Sequence, residues 1–195
     1  MKNNFYPFKI LIVLFCCLIQ SNNAFAKDLN FKALEIFTYE DGNLVIGNKN
    51  AEAKTENELE IYANKFTYNK NKETLIAEGN VKAFDLINNI DIETNKIFYD
   101  KIQKKIITFD ETYFVINENY KVNSSDVNFL LDKNIIFSDK STKLIDNDGN
   151  NIQLKSFKYF NQTEIIKGTK IKLLDKEENN YFIDEGMLKL KEYEM

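Results

Sequence analysis

The sequence repeats itself with a period of roughly 30 residues. Segment 59–81 (LEIYANKFTYNKNKETLIAEGNV) aligns with segment 90–112 (IDIETNKIFYDKIQKKIITFDET), and looser copies begin at Tyr120 and Ile152. A unit of this length cannot bury an apolar face by itself, so neighbouring units must stack on one another. One aromatic residue marks the same place in each copy: Tyr68, Tyr99, Phe129 and Tyr159.

Apolar and polar residues alternate with a period of two inside each copy. Leu59, Ile61 and Ala63 follow this pattern, as do Phe66 and Tyr68. Such alternation predicts short strands with one buried face. Residues that favour tight turns separate these runs, at 40–43, 69–71, 146–150 and 177–180. We therefore expect an all-β fold of short antiparallel strands, as a sandwich, roll or solenoid.

Stacked units leave open sheet edges at the two ends of the array. Repeat-like sequence reaches from a partial unit near Ile36 to a last fragment at 181–195. Open edges can pair with a strand of another chain. The last strand can equally fold back and close a self-contained roll, and the residues alone favour neither arrangement.

The N-terminal segment has the three parts of a secretory signal peptide. Lys2 and Lys9 precede the apolar run 10–19, and an Ala-x-Ala cleavage site follows at Ala24 and Ala26. The run has about half the roughly 20 residues that a membrane-spanning helix needs. We expect a cleaved signal at 1–26, export to the periplasm, and one β-domain at 27–195.

The residue types for catalysis and metal binding are scarce. The chain has no His, and its formal net charge is −4. It also has no Arg, and both cysteines, Cys16 and Cys17, lie in the apolar run of the signal. These absences remove the commonest general base, the thiol nucleophile and the usual readers of nucleic acid. We predict no enzyme activity, no catalytic or metal residues, no cofactor and no nucleic-acid partner.

Two charged clusters are interpreted as turns. The run Asp146-Asn-Asp148-Gly149 has the start of a Ca²⁺ loop, but Phe157 stands where the distal Glu ligand belongs. The lysines at 101–105 are expected to lie at a solvated hairpin tip. A polysaccharide-cleaving enzyme would need two carboxylates across a cleft, and no pair stands out.

The best-formed repeat carries a resemblance to a known family. Ile61-Tyr-Ala-Asn-Lys-Phe-Thr-Tyr68, followed by Leu75-Ile-Ala-Glu-Gly-Asn-Val81, resembles the signature of the OstA-like lipopolysaccharide-transport family. The second copy departs from it, with Phe109-Asp110 where Glu-Gly would stand. The likeness covers most of the region after the signal, but only 59–81 matches closely.

The resemblance implies an OstA-like β-jellyroll, a twisted stack of strands open along one side. In this family an apolar trough carries lipopolysaccharide acyl chains towards the outer membrane, and modules join edge to edge. The implied partners are lipopolysaccharide, other OstA-like modules and the outer-membrane assembly complex. Alternation and resemblance together predict these trough residues: Leu59, Ile61, Phe66, Tyr68, Leu75, Ala77, Val81, Ile90, Ile92, Ile97 and Tyr99.

Two questions stay open at this point. The following units favour the N-terminal periplasmic domain of the family's outer-membrane assembly protein, cut short at Met195, over its soluble bridge protein. The alternative function is a structural β-solenoid scaffold of the cell envelope with no lipid ligand. A continuous apolar groove would favour transport, and inward positions packed to closure would favour the scaffold.

Overall fold

The computed structural model describes residues 29–55, 58–116 and 119–190. The predicted signal peptide, with its cleavage residues Ala24 and Ala26, lies outside these residues. The described part of the chain therefore consists of the predicted β-domain alone.

Fifteen strands and two 3₁₀ turns form the described structure. The strands are β1 (Asn30–Lys32), β2 (Glu35–Tyr39), β3 (Leu44–Lys54), β4 (Leu59–Asn69), β5 (Thr74–Asp85), β6 (Ile90–Asp100), β7 (Lys105–Ile116), β8 (Tyr120–Ser125), β9 (Asn128–Leu130), β10 (Ile135–Ser138), β11 (Thr142–Ile145), β12 (Asn151–Leu154), β13 (Ser156–Phe160), β14 (Ile165–Leu174) and β15 (Asn180–Lys189). The 3₁₀ turns are Glu40–Gly42 and Leu131–Lys133. All strands belong to one hydrogen-bonded sheet with antiparallel neighbours. The predicted all-β antiparallel fold is confirmed.

The predicted turns lie where the strands reverse. Residues 40–43 join β2 to β3, and 146–150 join β11 to β12. The lysine-rich segment at 101–104 is the hairpin turn between β6 and β7, as expected. Local turn chemistry therefore located these reversals correctly from the sequence.

The middle strands are longer than the sequence pattern suggested. β4 joins the predicted runs Leu59–Ala63 and Phe66–Tyr68 into one strand of 11 residues. Its register with β5 shifts between Tyr62 and Lys65, and similar shifts interrupt the pairing of β3, β5, β6 and β7. A β-bulge inserts an extra residue and bends its strand. The break in alternation that resembled a strand end is this bulge.

The bulges divide the sheet into two arms. The aromatic arm holds the strand halves that carry Tyr68, Tyr99, Phe129 and Tyr159, together with β2, β9, β10 and β13. The aliphatic arm holds the opposite halves, together with β1, β8, β11 and β12. Because the buried positions change phase at the bulge, both halves of β4 turn their apolar side chains towards the same interior.

Each arm carries one unbroken row of inward side chains. In the aromatic arm, cross-strand partners form the row Val45, Tyr68, Leu75, Tyr99, Ile106, Phe129, Ile136, Tyr159, Ile166 and Leu188. In the aliphatic arm the row is Ala53, Ile61, Ala83, Ile92, Phe114, Val122, Leu144, Ile152, Leu173 and Tyr181. The four repeated aromatics occupy alternate places in the first row. Each copy of the sequence repeat therefore contributes one antiparallel pair of strands to each arm.

Aromatic contacts hold the two arms face to face. Phe31 of the aliphatic arm stacks on Phe66 of the aromatic arm, with ring centroids 4.7 Å apart. Farther along, Phe114 meets Phe129 edge-on at 5.3 Å and stacks on Phe157 at 6.1 Å. These arrangements add to the free energy gained by burial alone.

The arms are connected differently along the molecule. In the continuous region, β3 to β7, each strand runs through both arms. In the split region, β8 to β13, each strand belongs to one arm. β7 pairs with β9 through Lys105–Ile107 and with β8 through Glu111–Ile116. β14 likewise pairs with both β13 and β12, which closes the ring of strands around the interior.

Candidate functional site

The interior between the two arms is the candidate site. The structure brings all eleven predicted trough residues to this interior, and each is at most 8% exposed. Ile61 and Ile92 stand in the aliphatic row, and Tyr68, Leu75 and Tyr99 stand in the aromatic row. In the continuous region these side chains pack against the opposite arm and fill the interior. Their contact with lipid stays a prediction.

Close packing is tightest where β3 meets β4. Gly47 faces the ring of Phe66, and a Cβ atom at Gly47 would lie 2.3 Å from the Cε1 atom of that ring. Phe31 covers Phe66 and Tyr68, with ring centroids 4.7 and 4.9 Å away. The interior has no room for a ligand at this place.

A cluster of buried hydroxyl groups lies near the middle of β7, where the split region begins. Thr108, Thr112, Ser124, Ser138 and Thr142 are all at most 2% exposed. The Thr112 hydroxyl donates to Thr108 Oγ1 at 2.7 Å, and Ser124 Oγ lies 2.8 Å from Thr142 Oγ1. Thr108 Oγ1 also accepts the Val127 N–H at 2.9 Å. These groups satisfy backbone and side-chain polar atoms that would otherwise be buried without partners.

Sequence analysis missed this hydroxyl cluster. Its signal was the replacement of apolar residues by Ser or Thr at inward positions of β7, β8 and β11. Their structural role depends on where the sheet divides, which the repeat pattern does not indicate.

A cavity of about 790 Å³ opens between the arms at the β15 end. We call it the β15 mouth. Its apolar lining residues are Tyr120, Ile152, Leu173, Tyr181, Met187, Leu188 and Leu190. Four of them, Ile152, Leu173, Tyr181 and Leu188, end the two inward rows, so the mouth continues the interior.

The segment after β15 crosses the mouth. Leu190 is 7% exposed, its N–H donates to Glu164 O at 2.9 Å, and its carbonyl accepts a hydrogen bond from the Tyr120 hydroxyl. Tyr120 belongs to the aliphatic arm, whereas Glu164 precedes the aromatic half of β14. This contact therefore connects the two arms across the β15 mouth.

Acidic residues surround the rim of the mouth. Asp146, Asp148, Asp175 and Glu177 contribute to it, beside Lys176 and Lys189. Asp175 accepts hydrogen bonds from the side chain and backbone N–H of Asn179, and these lower the pKa of its carboxyl group. The rim is therefore charged and hydrated around an apolar opening.

The interior offers little acid–base chemistry. Burial raises the pKa of the Tyr99 hydroxyl, so this group stays a neutral phenol at neutral pH. Asp85 is the buried carboxylate of the described residues, and it caps a turn by accepting bonds from the N–H groups of Ile87 and Asn88. Apart from the hydroxyl cluster, the interior thus resembles an apolar core in its chemistry.

Exposed apolar side chains flank the free sheet edges. β1 and β2 share one edge of β3, and β15 forms the edge at the other end. Within the described ranges, β15 pairs with β14 alone. Large apolar residues that are at least 40% exposed accompany these edges: Leu34, Ile36, Phe37, Tyr39, Tyr181, Phe182, Ile183 and Met187. β2 contains neither lysine nor proline, the residues that commonly protect an edge from strand pairing, whereas β1 and β15 end at Lys32 and Lys189.

The described residues contain neither a cluster of metal ligands nor a helix that could span a membrane. No group of three or more His, Cys, Asp or Glu side chains in 29–55, 58–116 and 119–190 is placed to hold a metal ion. None of the helices in these ranges has the length and hydropathy to span a bilayer.

Comparisons with known proteins find likeness among solved structures alone. The sequence matches no protein-family profile and no curated protein. Among solved structures, the fold is similar to the crystal structure of LptH, the LptA-homologous periplasmic component of the lipopolysaccharide transport device from Pseudomonas aeruginosa. The identity is 11%, the TM-score is 0.31, and the match covers 73% of this chain and 82% of LptH. At these values the likeness carries no conclusion about function.

Proposed function

We propose that this protein is a periplasmic module for lipopolysaccharide transport or assembly, exported by a cleaved signal peptide. The observation that carries the proposal is the pair of inward apolar rows. Each arm has one row, and both rows end at the β15 mouth. The resemblance of 59–81 to the OstA-like signature supports it independently. The module carries acyl chains in its interior and needs no catalytic group.

Acyl chains suit such an interior. Each buried CH₂ group contributes about 0.8 kcal/mol, so several chains bind strongly without polar recognition. The carboxylates and lysines at the rim remain in water, where a hydrophilic head group would also stay. An apolar row bounded by a hydrated rim therefore matches an amphiphile with acyl chains.

Acyl chains begin to bind at the β15 mouth, where the interior has free volume. From there they separate the arms in the split region, because its short strands belong to one arm each. In the continuous region, bound lipid must displace the side chains that pack around Phe66 and Tyr68. The predicted trough residues of that region then contact lipid only after the arms move.

Partner modules join at the free edges. The exposed apolar side chains beside β2 and β15 become buried when a partner strand pairs with either edge. Other OstA-like modules and the outer-membrane assembly complex are the proposed partners, which places the chain near the outer membrane. The repeat units favour a role like the N-terminal domain of the assembly protein LptD over that of the bridge protein LptA.

Photo-crosslinking in cells tests the proposal. A photoreactive residue at Ile61 or Ile92 should form an adduct with lipopolysaccharide, since both side chains face the interior. The matched controls are Tyr62 and Glu93, which are the next residues along the same strands and face outwards. Absence of adducts at Ile61, Ile92 and the mouth residue Leu173 would contradict lipid transport.

One observation favours a second function, an envelope scaffold without a lipid ligand. The interior of the continuous region is packed to closure, as expected for a β-solenoid that only displays its surface. The two functions differ in their response to lipid. Purified scaffold would show the same thermal unfolding with and without lipopolysaccharide, whereas a transport module would be stabilised by the ligand it binds.

A further inference from the structure

Lys158 and Lys167 are an exception to the charge pattern of the sheet. They are direct cross-strand partners in β13 and β14. Elsewhere in the described strand pairs, a lysine opposite a charged residue faces an acid. Lys82 lies 2.7 Å from Glu93, and Lys96 lies 2.8 Å from Glu78. Like charges directly opposite each other destabilise a sheet, so the repulsion within this pair reduces stability.

Neither lysine is neutralised by a neighbouring acid. No carboxylate oxygen of the described residues lies within 4.0 Å of either ammonium group. Both ammonium groups instead lie over the ring of Phe160, at 5.2 and 5.5 Å from its centroid. The shared ring holds two positive charges near one another on the outer face of the aromatic arm.

The surroundings of the two lysines form an ordered grid across four strands. One outward row places the lysines between apolar side chains, in the order Phe137, Lys158, Lys167 and Met187. The adjacent row runs through Ser156, Thr169 and Glu185, and a second acid, Asp139, directly follows β10. All eight residues line one surface cavity of about 570 Å³.

The hydroxyl groups are placed towards the same cavity. Ser156 Oγ and Thr169 Oγ1 lie 2.7 Å apart, so one donates to the other and the pair keeps one further O–H to offer. The cavity therefore has a cationic side at the lysines and an acidic side at Asp139 and Glu185. A simple anion would be repelled by the acids, and a simple cation would be repelled by the lysines.

We propose that this outer cavity binds a zwitterionic head group of the phosphoethanolamine type. The phosphate oxygens accept charge-assisted hydrogen bonds from Lys158 and Lys167, and the ligand ammonium donates to Asp139 or Glu185. Bound phosphate cancels the repulsion between the lysines. This site faces away from the interior. The proposal of a head-group site can therefore be right or wrong independently of the proposed transport function.

Calorimetric and NMR titration of the full-length chain with O-phosphoethanolamine tests the site. We expect saturable binding, and at least about tenfold weaker binding by Lys158→Gln or Lys167→Gln, the loss expected for one charge-assisted hydrogen bond. Lys143→Gln is the matched control, because Lys143 faces outwards on the other arm between Asn123 and Gln153. It should bind as the unchanged protein does.

Thermal unfolding separates lost binding from lost folding. Because each substitution removes a repulsive charge, Lys158→Gln and Lys167→Gln should unfold at the same or a higher temperature than the unchanged protein. A lower unfolding temperature in both variants would overturn the claim that the pair is repulsive. Loss of binding together with unchanged or higher stability supports the site.

Inorganic phosphate distinguishes a zwitterion site from a plain anion site. It should bind more weakly than O-phosphoethanolamine, and Asp139→Asn with Glu185→Gln should weaken only the binding of O-phosphoethanolamine. Equal binding of the two ligands would overturn the proposal in favour of an anion site. No binding of either ligand, or unchanged binding after both lysine substitutions, would overturn it altogether.

Discussion

The continuous and split regions have the same repeat but hold their arms together differently. In the continuous region each strand from β3 to β7 passes through both arms at a bulge, and the interior is filled by Phe66, Tyr68 and their neighbours. In the split region β8 to β13 belong to one arm each, hydroxyl groups occupy the bend, and the interior widens towards the β15 mouth.

This difference shows what determines whether such a fold can open. A strand that crosses both arms fixes their separation through the covalent chain. Arms made of separate strands are joined through the covalent chain only at the two sides of the split region, where β7 and β14 pair with both arms. Between these strands the arms are held by side-chain contacts such as Phe114 with Phe129, and by the bond from Tyr120 to Leu190. Side-chain contacts can be exchanged for contacts with a ligand, so the split region is where the interior can change its volume.

The largest expected effect comes from shortening an interior side chain in each region. Phe66→Ala should lower the free energy of unfolding by about 3–5 kcal/mol, because the ring is 1% exposed and closely packed. Leu173→Ala, which borders the β15 mouth, should cost less than about 2 kcal/mol because free volume already adjoins it. Chemical denaturation measures both values. Equal losses would remove the distinction between a filled and an open interior.

Alanine substitutions at two glycines test the same comparison, because each adds a methyl group to the packed interior. Gly47→Ala places a methyl group 2.3 Å from the Phe66 ring, and Gly168→Ala places one 2.2 Å from Leu154 Cδ2. The ring is held by Phe31 and cannot move aside, whereas the leucine methyl group can rotate. We expect Gly47→Ala to cost about 2–3 kcal/mol and Gly168→Ala about 1 kcal/mol. The clash at Gly47 should largely disappear in the Phe66→Ala background, which a double-mutant cycle measures.

The hydroxyl cluster lies at the boundary between the two regions. Removing one of its hydroxyl groups should have a smaller effect on the free energy of unfolding. Thr112→Val keeps the shape of the side chain but removes its hydrogen bond to Thr108, so unfolding should become easier by about 0.5–1.5 kcal/mol. Thr163→Val is the control, because its hydroxyl is exposed in the turn before β14. If both substitutions had the same small effect, the cluster would not contribute to holding the bend.

The smallest effect is the acid dependence of one outer ion pair at the bulges of β5 and β6. The ammonium group of Lys96 donates to Glu78 and lowers the pKa of that carboxyl group. A lowered folded-state pKa means that this stabilisation is present above the ordinary glutamate range and is lost as the pH falls through the folded-state pKa. Because the pair is partly exposed, the loss should stay below about 1 kcal/mol.

Unfolding of Glu78→Gln between pH 7 and pH 3 measures this contribution. The variant should lose less stability on acidification than the unchanged protein. Glu93→Gln, which removes the other outer pair with Lys82, serves as the comparison. An identical acid response of Glu78→Gln and the unchanged protein would mean that the ion pair at the bulges contributes nothing to stability.

Much of the fold could be predicted from alternation and repeats, because both reflect local physics. The inward positions of β4, β5 and β6 are the residues that alternation selected, and the spacing of Tyr68, Tyr99, Phe129 and Tyr159 marks one strand pair each. Strand length was harder to predict, since a bulge at 63–64 and a strand end both interrupt the period of two.

The division into arms and the β15 mouth could not be predicted. Both depend on long-range pairing, such as β7 with β8 and β9 together, which no local pattern encodes. The mouth is built from the looser copies of the repeat, where Tyr120, Ile152 and Leu173 carry no family signature. The lysine pair was also missed, because Lys158 and Lys167 become neighbours only through the register of β13 and β14.

A distance measurement between the arms tests the central claim that lipid opens the split region. Spin labels at Lys143 and Asn128 report on the two arms there, and labels at Glu60 and Asn69 report on the continuous region. On adding lipopolysaccharide, pulsed electron resonance should show a larger increase in the Lys143–Asn128 distance than in the Glu60–Asn69 distance. If both distances stay the same while lipopolysaccharide is bound, or if both lengthen equally, the account is contradicted.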